Sequence, residues 1–406
     1  MRIESPRLES DHDIVRATAT VIWEDCDRPT RDVYFETEPQ FADLVLANPN
    51  AWAAGCFLPA RWHGEKRLKV EGRLCPALHA GLGAVMRQMS LWYGGSEAQP
   101  VFEPTGGFAA PQPTNPPCAA SFLSGGIDSM ATLRQNRMTF PQDHPASIRR
   151  CLCVYGFDLG GLEELGHHRP VYDRLITHLQ RVADDAGCDL VPVSTNVRHL
   201  YEDVEFWTRQ FYGAALAAVA HVFSQSMTDI HIASGSYQQC LFPTGSHPLL
   251  DHHLSSGDLR VHHDMAAPSR LAKMELIARW PVGFANLRVC WNRSIPEGQI
   301  NCGTCSKCIH TKLLLMALDK LSDAASMPGD PVEPEAMKYI AIDHPELHIR
   351  LLNVATLLRS RGHEALAAAV EDRCNQYERE QEKSRGVQGR LRQLLGLSTK
   401  LGTPSR

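Results

Sequence analysis

Apolar positions along this chain change their period several times, and each change predicts a different element. Val15, Ala17, Ala19, Val21 and Trp23 alternate with Arg16, Thr18 and Thr20, the two-residue period of a half-buried strand. Val33-Tyr34-Phe35 predicts a second strand after a polar turn at Asp25 to Thr30. Cys56-Phe57-Leu58 and Leu68-Lys69-Val70, separated by His63-Gly64-Glu65, predict a further strand pair. Leu78, Leu82, Val85, Met86, Met89 and Trp92 then follow a helical period. Residues 1–103 thus read as a small α+β domain. Pro104, Gly106, Gly107, Pro111, Pro113, Pro116 and Pro117 make residues 104–117 a semi-rigid linker.

From Cys118 onward, strands and helices are expected to alternate. Strands are expected near Cys118 to Leu123, Arg150 to Tyr155, Leu190 to Val193 and Ile230 to Ala233. Helices are expected from Val171 to Ala186 and from about Val204 to Met227, with Trp207, Phe211, Ala215, Val219 and Phe223 in one i+4 row. That order predicts an α/β domain over residues 118–325, a parallel sheet covered on both faces. Ligands of such sheets sit beyond the carboxyl ends of the strands, where Ser124 to Ser129, Gly156, Ser194 and Gly235 all fall. Residues 326–382 read as a helical C-terminal portion. Residues 383–406, with six basic and no acidic side chains, read as a solvated, disordered tail.

Composition narrows the function classes. The 406 residues suffice for about two domains, and 43% hydrophobic with 21% charged content is globular. A net charge of -5 argues against a protein that coats nucleic acid. The first residues carry no apolar signal segment, and the longest apolar stretch, near 214–223, is too short to span a bilayer. No membrane association is therefore expected. Thirteen cysteines, an odd number with several inside expected core strands, fit a reducing cytoplasm better than a disulfide framework.

Two stretches carry chemistry. In the first, an apolar strand meets Ser124-Gly125-Gly126-Ile127-Asp128-Ser129 and turns directly into a helix. Backbone N–H groups at that helix start favour an anion, and glycines let phosphate oxygens approach the main chain. Ser124 and Ser129 add hydroxyl donors, and Asp128 can hold the Mg²⁺ that accompanies a nucleotide. The spacing fits neither G-x-x-x-x-G-K-[ST] nor G-x-G-x-x-G. It resembles the S-G-G-x-D-S loop of the ATP pyrophosphatases, a PP-loop superfamily with an adenine nucleotide alpha hydrolase-like fold. The resemblance implies cleavage of ATP between its α and β phosphates, with Ser124, Gly125, Gly126, Asp128 and Ser129 around the nucleotide; Gly156 and Gly235 join them as candidates from their place at the strand ends.

The second stretch is Cys290, Cys302, Cys305 and Cys308, spaced C-x11-C-x2-C-x2-C. Four thiolates at this spacing suit a closed, structural Zn²⁺ knuckle over 290–308, although iron–sulfur clusters use the same donors. Together, the loop and the knuckle resemble the 7-cyano-7-deazaguanine synthase family of queuosine-precursor enzymes, over roughly residues 118 to 320. The family's proline-and-lysine segment matches Pro268 to Ile277, which contributes Arg270 and Lys273 as catalytic candidates beside Asp128. Its C-G-x-C-x-x-C segment matches Cys302 to Cys308. The resemblance implies a ligase that adenylates a small-molecule carboxylate and forms an amide or nitrile. Relatives in phage-defence systems resemble this layout, which implies a protein amine as a possible acceptor. Where the family selects its substrate, Leu241 to Asp251 keeps only the proline, Pro243.

Two other readings stay open: sulfur insertion into a base or tRNA, with Cys240 as the reactive thiol, and a non-catalytic nucleotide-binding module. His247, His252, His253, His262 and His263 lie close together in sequence, as a second metal site or as loop histidines.

Overall fold

The computed structural model describes residues 1–94, 99–162, 169–292, 295–342 and 345–394, the side chains of 239 and 384–394 excepted. The backbone forms a ten-stranded sheet among these residues, with order β10-β9-β6-β7-β8-β3-β2-β1-β4-β5. The strands are β1 Arg2–Ser10, β2 Val15–Ile22, β3 Arg31–Thr37, β4 Arg67–Val70, β5 Val101–Pro104, β6 Ala119–Phe122, β7 Ile148–Tyr155, β8 Asp189–Thr195, β9 Asp229–Ala233 and β10 Arg260–Asp264.

Five neighbouring strands, β8, β7, β6, β9 and β10, run parallel. Counted from β6 in chain order, their arrangement is 3-2-1-4-5, the doubly wound order, and the direction of winding reverses between β6 and β9. Helices α3 Ile127–Thr139, α4 Arg169–Ala186 and α6 Tyr212–Val222 connect them. The expected α/β alternation is present.

The expected separation at residues 104–117 is not. β3 pairs antiparallel with β8, Phe35 opposite Thr195 and Glu36 opposite Ser194, so the N-terminal strands continue the same sheet. Side chains seal the join: Thr195 Oγ1 donates to Tyr34 O at 2.6 Å, and Thr37 Oγ1 to Pro192 O at 2.6 Å. The core likewise runs without a break from Ile3 and Phe35 to Val193, Phe211 and Val261. The compact units divide elsewhere, into Met1–Cys305 with Asp323–Pro328, and Ser306–Ser322 with Gly329–Arg406.

The stretch Cys56-Phe57-Leu58 is helical, part of α1 Pro49–Trp62. Asn48 caps α1 by accepting from the Asn50 N–H, and Pro49 occupies the first turn, where its missing N–H costs nothing. Every residue from Asn50 to Ala60 is buried, so the apolar run is all-round and shows no helical stripe. A side chain at Gly55 would begin 2.9 Å from Val197 and 3.2 Å from Ala218, which marks how closely α1 lies on α6. Trp52 Nε1 donates to Val33 O at 3.1 Å and ties α1 to β3. Helix α2, Pro76–Tyr93, is as expected.

The helix expected over 204–227 is interrupted. A short α5, Val204–Phe206, passes into a π-turn at Trp207–Phe211 before α6. Trp207, Phe211, Ala215, Val219 and Phe223 are nonetheless all buried. The loop at Gly245 fits the wide turn: its N–H donates to Thr208 O at 3.0 Å, and its carbonyl accepts from Gly213 N at 3.1 Å. After β10 come α7 Arg270–Ala278 and α8 Pro281–Ala285.

The second unit is helical, with α9 Ser306–Ala317, α10 Pro345–Ser360 and α11 Glu364–Leu394. Arg359 grips both carboxylate oxygens of Glu371 at 2.7 and 2.8 Å and pins α10 to α11. The tail expected to be disordered from residue 383 is therefore helical to Leu394, and residues 395–406 lie outside the described residues. No helix among the described residues is long and apolar enough to cross a membrane.

Candidate functional site

Strand β6 delivers the turn Leu123 to Gly126 to the point where the sheet reverses its winding, and α3 begins at Ile127. Gly125 has φ +77°, a left-handed conformation that glycine adopts without strain. The serine hydroxyls make hydrogen bonds within this turn. Gly126 N donates to Ser124 Oγ at 3.3 Å, Ser124 N to Ser129 Oγ at 3.2 Å, and Ser129 Oγ to Gly126 O at 3.1 Å. The donors left to an anion are first-turn N–H groups of α3, which have no i−4 carbonyl within the helix.

The candidate catalytic residues come together. Asp128, in the first turn of α3, accepts from Arg270 Nη1 at 2.5 Å through Oδ2 and from Lys273 Nζ at 3.1 Å through Oδ1. Both cations stand on one face of α7, three residues apart. Ser269 caps α7 by accepting from Ala272 N at 3.3 Å, which fixes the start of that helix. Lys273 is buried, and its Nζ also donates to Ser234 O at 2.6 Å, beyond the end of β9. Residues from β6, α3, β9 and α7 thus meet at the reversal point.

The remaining candidate glycines differ. A side chain on Gly235 would meet nothing within 4 Å, so open space adjoins it. Gly156 has φ +108°, and a Cβ there would come within 1.8 Å of Thr195 O, so packing of β7 against β8 demands that glycine. A separate depression of about 540 Å³, lined by Gln135, Asp264, Pro268, Ala272, Glu275 and Arg279, lies against the side of α7 opposite Arg270 and Lys273.

The second site is a thiolate cage. The sulfurs of Cys290, Cys302, Cys305 and Cys308 all lie within 4.8 Å of one another, and Cys290 and Cys305 stand 3.8 Å apart. A regular tetrahedron with Zn–S bonds of about 2.3 Å has edges of about 3.8 Å, so the donor set fits zinc. N–H groups point at sulfur: Asn292 N to Cys290 at 3.2 Å, and Thr304 N and Cys305 N to Cys302 at 3.4 and 3.2 Å. Burial would raise the Cys302 thiol, but these donors prevail and hold it below its ordinary value. Gly303 has φ +74°, and a Cβ there would fall 2.3 Å from Pro328 O.

Sequence reasoning missed Asn301, which is fully buried. Its Oδ1 accepts from Val289 N at 2.8 Å and Cys290 N at 3.1 Å, while Nδ2 donates to Leu287 O and Ser326 O, both at 2.8 Å. Its position directly before Cys302 was the only available signal.

The histidines do not converge on a metal. His262 bonds Asp229 at 2.8 Å, His263 bonds Asp251 at 2.7 Å, and the His252 and His253 rings lie 3.9 Å apart, tilted by 38°. The four cysteines are the one metal-compatible group among the described residues. Cys240 lies half-buried on the turn after β9, and no disulfide joins any of the thirteen cysteines. No family model, curated protein or solved structure matches the chain.

Proposed function

We propose that the turn between β6 and α3 holds the phosphates of ATP, and that the chain is an ATP-dependent ligase that adenylates a small-molecule carboxylate. One observation carries this reading: the Gly125–Gly126 turn, the α3 N-terminus, Asp128, Arg270 and Lys273 coincide at the reversal of a doubly wound sheet. That is where open α/β sheets place their ligands.

In this reading the carboxylate oxygen attacks the α phosphorus and pyrophosphate departs. Ammonia or an amine then attacks the acyl carbon and AMP leaves with the electron pair; the product is an amide, which a second activation dehydrates to a nitrile. A protein amine is one acceptor of this class. The N–H groups of α3 and the cations of α7 face the charge that builds on the leaving pyrophosphate. Asp128 would hold Mg²⁺, since a carboxylate has about four acceptor positions and Arg270 and Lys273 use two. Magnesium held there would offset the negative charge of the phosphates. The four cysteines would hold zinc in a structural role for residues 290–308.

Product analysis tests the reading. Incubation with MgATP and a panel of carboxylates is expected to release AMP and pyrophosphate, and Asp128→Asn is expected to lower that rate roughly a hundredfold or more with zinc retained. ADP and phosphate as products, or binding of ATP with no turnover on any carboxylate, would overturn it.

A further inference from the structure

Two arginines among the described residues are more than nine-tenths buried, Arg198 at 5% exposure and Arg288 at 7%. Arg198 has a partner at one end, though its Nε has none: Nη1 donates to Phe157 O at 2.6 Å, and its guanidinium lies 4.5 Å from the Trp207 ring centroid. Arg288 has no side-chain hydrogen bond and no acid within ion-pair reach among the described residues, and its Nε and Nη2 are sealed from solvent without an acceptor. A buried guanidinium without a counter-charge is costly, and a protein that keeps one normally supplies an anion to it.

The place of Arg288 says which anion. Its main-chain N–H donates to Gly125 O at 2.8 Å, and its Cβ lies 3.2 Å from where a side chain on Gly125 would begin. Leu175 and Leu179 of α4 wall the same turn at 3.3 Å. This side chain therefore leaves the backbone at the glycine turn itself.

We propose that Arg288 is the guanidinium arm of an oxyanion receptor built on the Gly125–Gly126 turn, and that it takes an oxygen of a phosphate-class anion through Nη1, the one guanidinium nitrogen that is not sealed from solvent. The proposal rests on the reading of this turn as a nucleotide site, and it adds a residue that lies outside the S-G-G-x-D-S motif. Arginine suits the task because it stays charged when buried and its hydrogen bond to an anion is charge-assisted. The anion is either a phosphate of the bound nucleotide or free pyrophosphate, and the two share this chemistry.

Calorimetry and thermal melting of the zinc-loaded full chain, with MgATP and separately with inorganic pyrophosphate, test it. Arg288→Leu is expected to bind both probes about ten- to a hundredfold more weakly. Without ligand it should melt at the same or a higher temperature than the wild type, with equal zinc content, because a buried charge without a partner has been removed. A purely structural arginine would give the reverse, a lower melting point with unchanged affinity, and that result overturns the proposal. Wild-type affinity for MgATP in Arg288→Leu also overturns it and leaves the nucleotide reading standing. Pyrophosphate binding that depends on Arg288, with no MgATP binding at all, upholds the receptor and removes the nucleotide reading. Failure of the wild type to bind either probe removes both. Should Arg288→Leu fail to fold, Arg288→Gln decides by the same affinities.

Discussion

Asn301→Ala is the sharpest perturbation of the thiolate cage that leaves every cysteine in place. The asparagine makes four hydrogen bonds to main chain, two through each end of its amide, and solvent does not reach it. Alanine leaves two N–H groups and two carbonyls buried without that partner. At roughly 1 kcal/mol for each bond lost, the expected destabilisation is about 4 kcal/mol. Few domains have more than about 15 kcal/mol in total, so the urea midpoint should drop plainly. Zinc provides the more specific readout. Two of the four bonds fix the backbone of Val289 and Cys290, so the variant should release zinc to a chromogenic chelator with affinity weakened about ten- to a hundredfold. Because bound metal can mask lost stability, unfolding should be followed with and without chelator. An Asn301→Ala protein with the wild-type urea midpoint and wild-type zinc affinity would refute the claim that this amide organises the cage.

Gly303→Ala should abolish stoichiometric zinc binding, since its Cβ would meet Pro328 O at 2.3 Å in a backbone conformation that only glycine adopts freely; metal analysis of the purified variant checks this. Stripping the metal from the wild type should cost on the order of 10 kcal/mol of local folding energy, visible as lost amide protection around residues 290–308. His63, packed edge-on to Trp23 and Tyr201, is pushed down to about 4 by burial and then by the Arg28 charge, with Glu65 opposing. The unfolded chain then binds more protons between about pH 6.5 and pH 4, so stability should fall by at most about 3 kcal/mol as pH drops through that window. His63→Phe should flatten this limb of the urea midpoint against pH, and an unchanged slope counts against it. A fragment beginning at Cys118 should be molten or aggregated, because it exposes the β8 edge and the α6 face that α1 covers; cooperative unfolding at the full-length melting temperature would contradict this.

What could be read in the sequence and what could not divide along physical lines. The glycine turn, α4, β7, β8 and the cysteine spacing depend on near neighbours, and their patterns announced them. The helix α1 did not, because burial on all sides erases the stripe that periodicity detects. β10 was hidden by polar residues, since His262 and Asp264 occupy a partly exposed face of a sheet edge. The union of the two halves depends on Phe35 meeting Thr195, a pairing that no local window contains. Asp128, Arg270 and Lys273 were found through motif resemblance and do meet. Arg288 was invisible, because a single arginine in a loop gives no sign of being buried without a partner among the described residues.

The pairing of β3 with β8 also imposes a timetable. Phe35 leaves the ribosome long before Thr195, and at about 5–20 residues per second the wait is roughly 8 to 32 s. Throughout that interval the first three strands offer an open flank to any extended segment nearby. Arg31, Asp32 and Glu36 place charge along that flank, a modest deterrent to wrong partners during synthesis. Conditions that slow translation between residues 35 and 195 should therefore raise the insoluble fraction of newly made chains, even when the finished protein is unchanged.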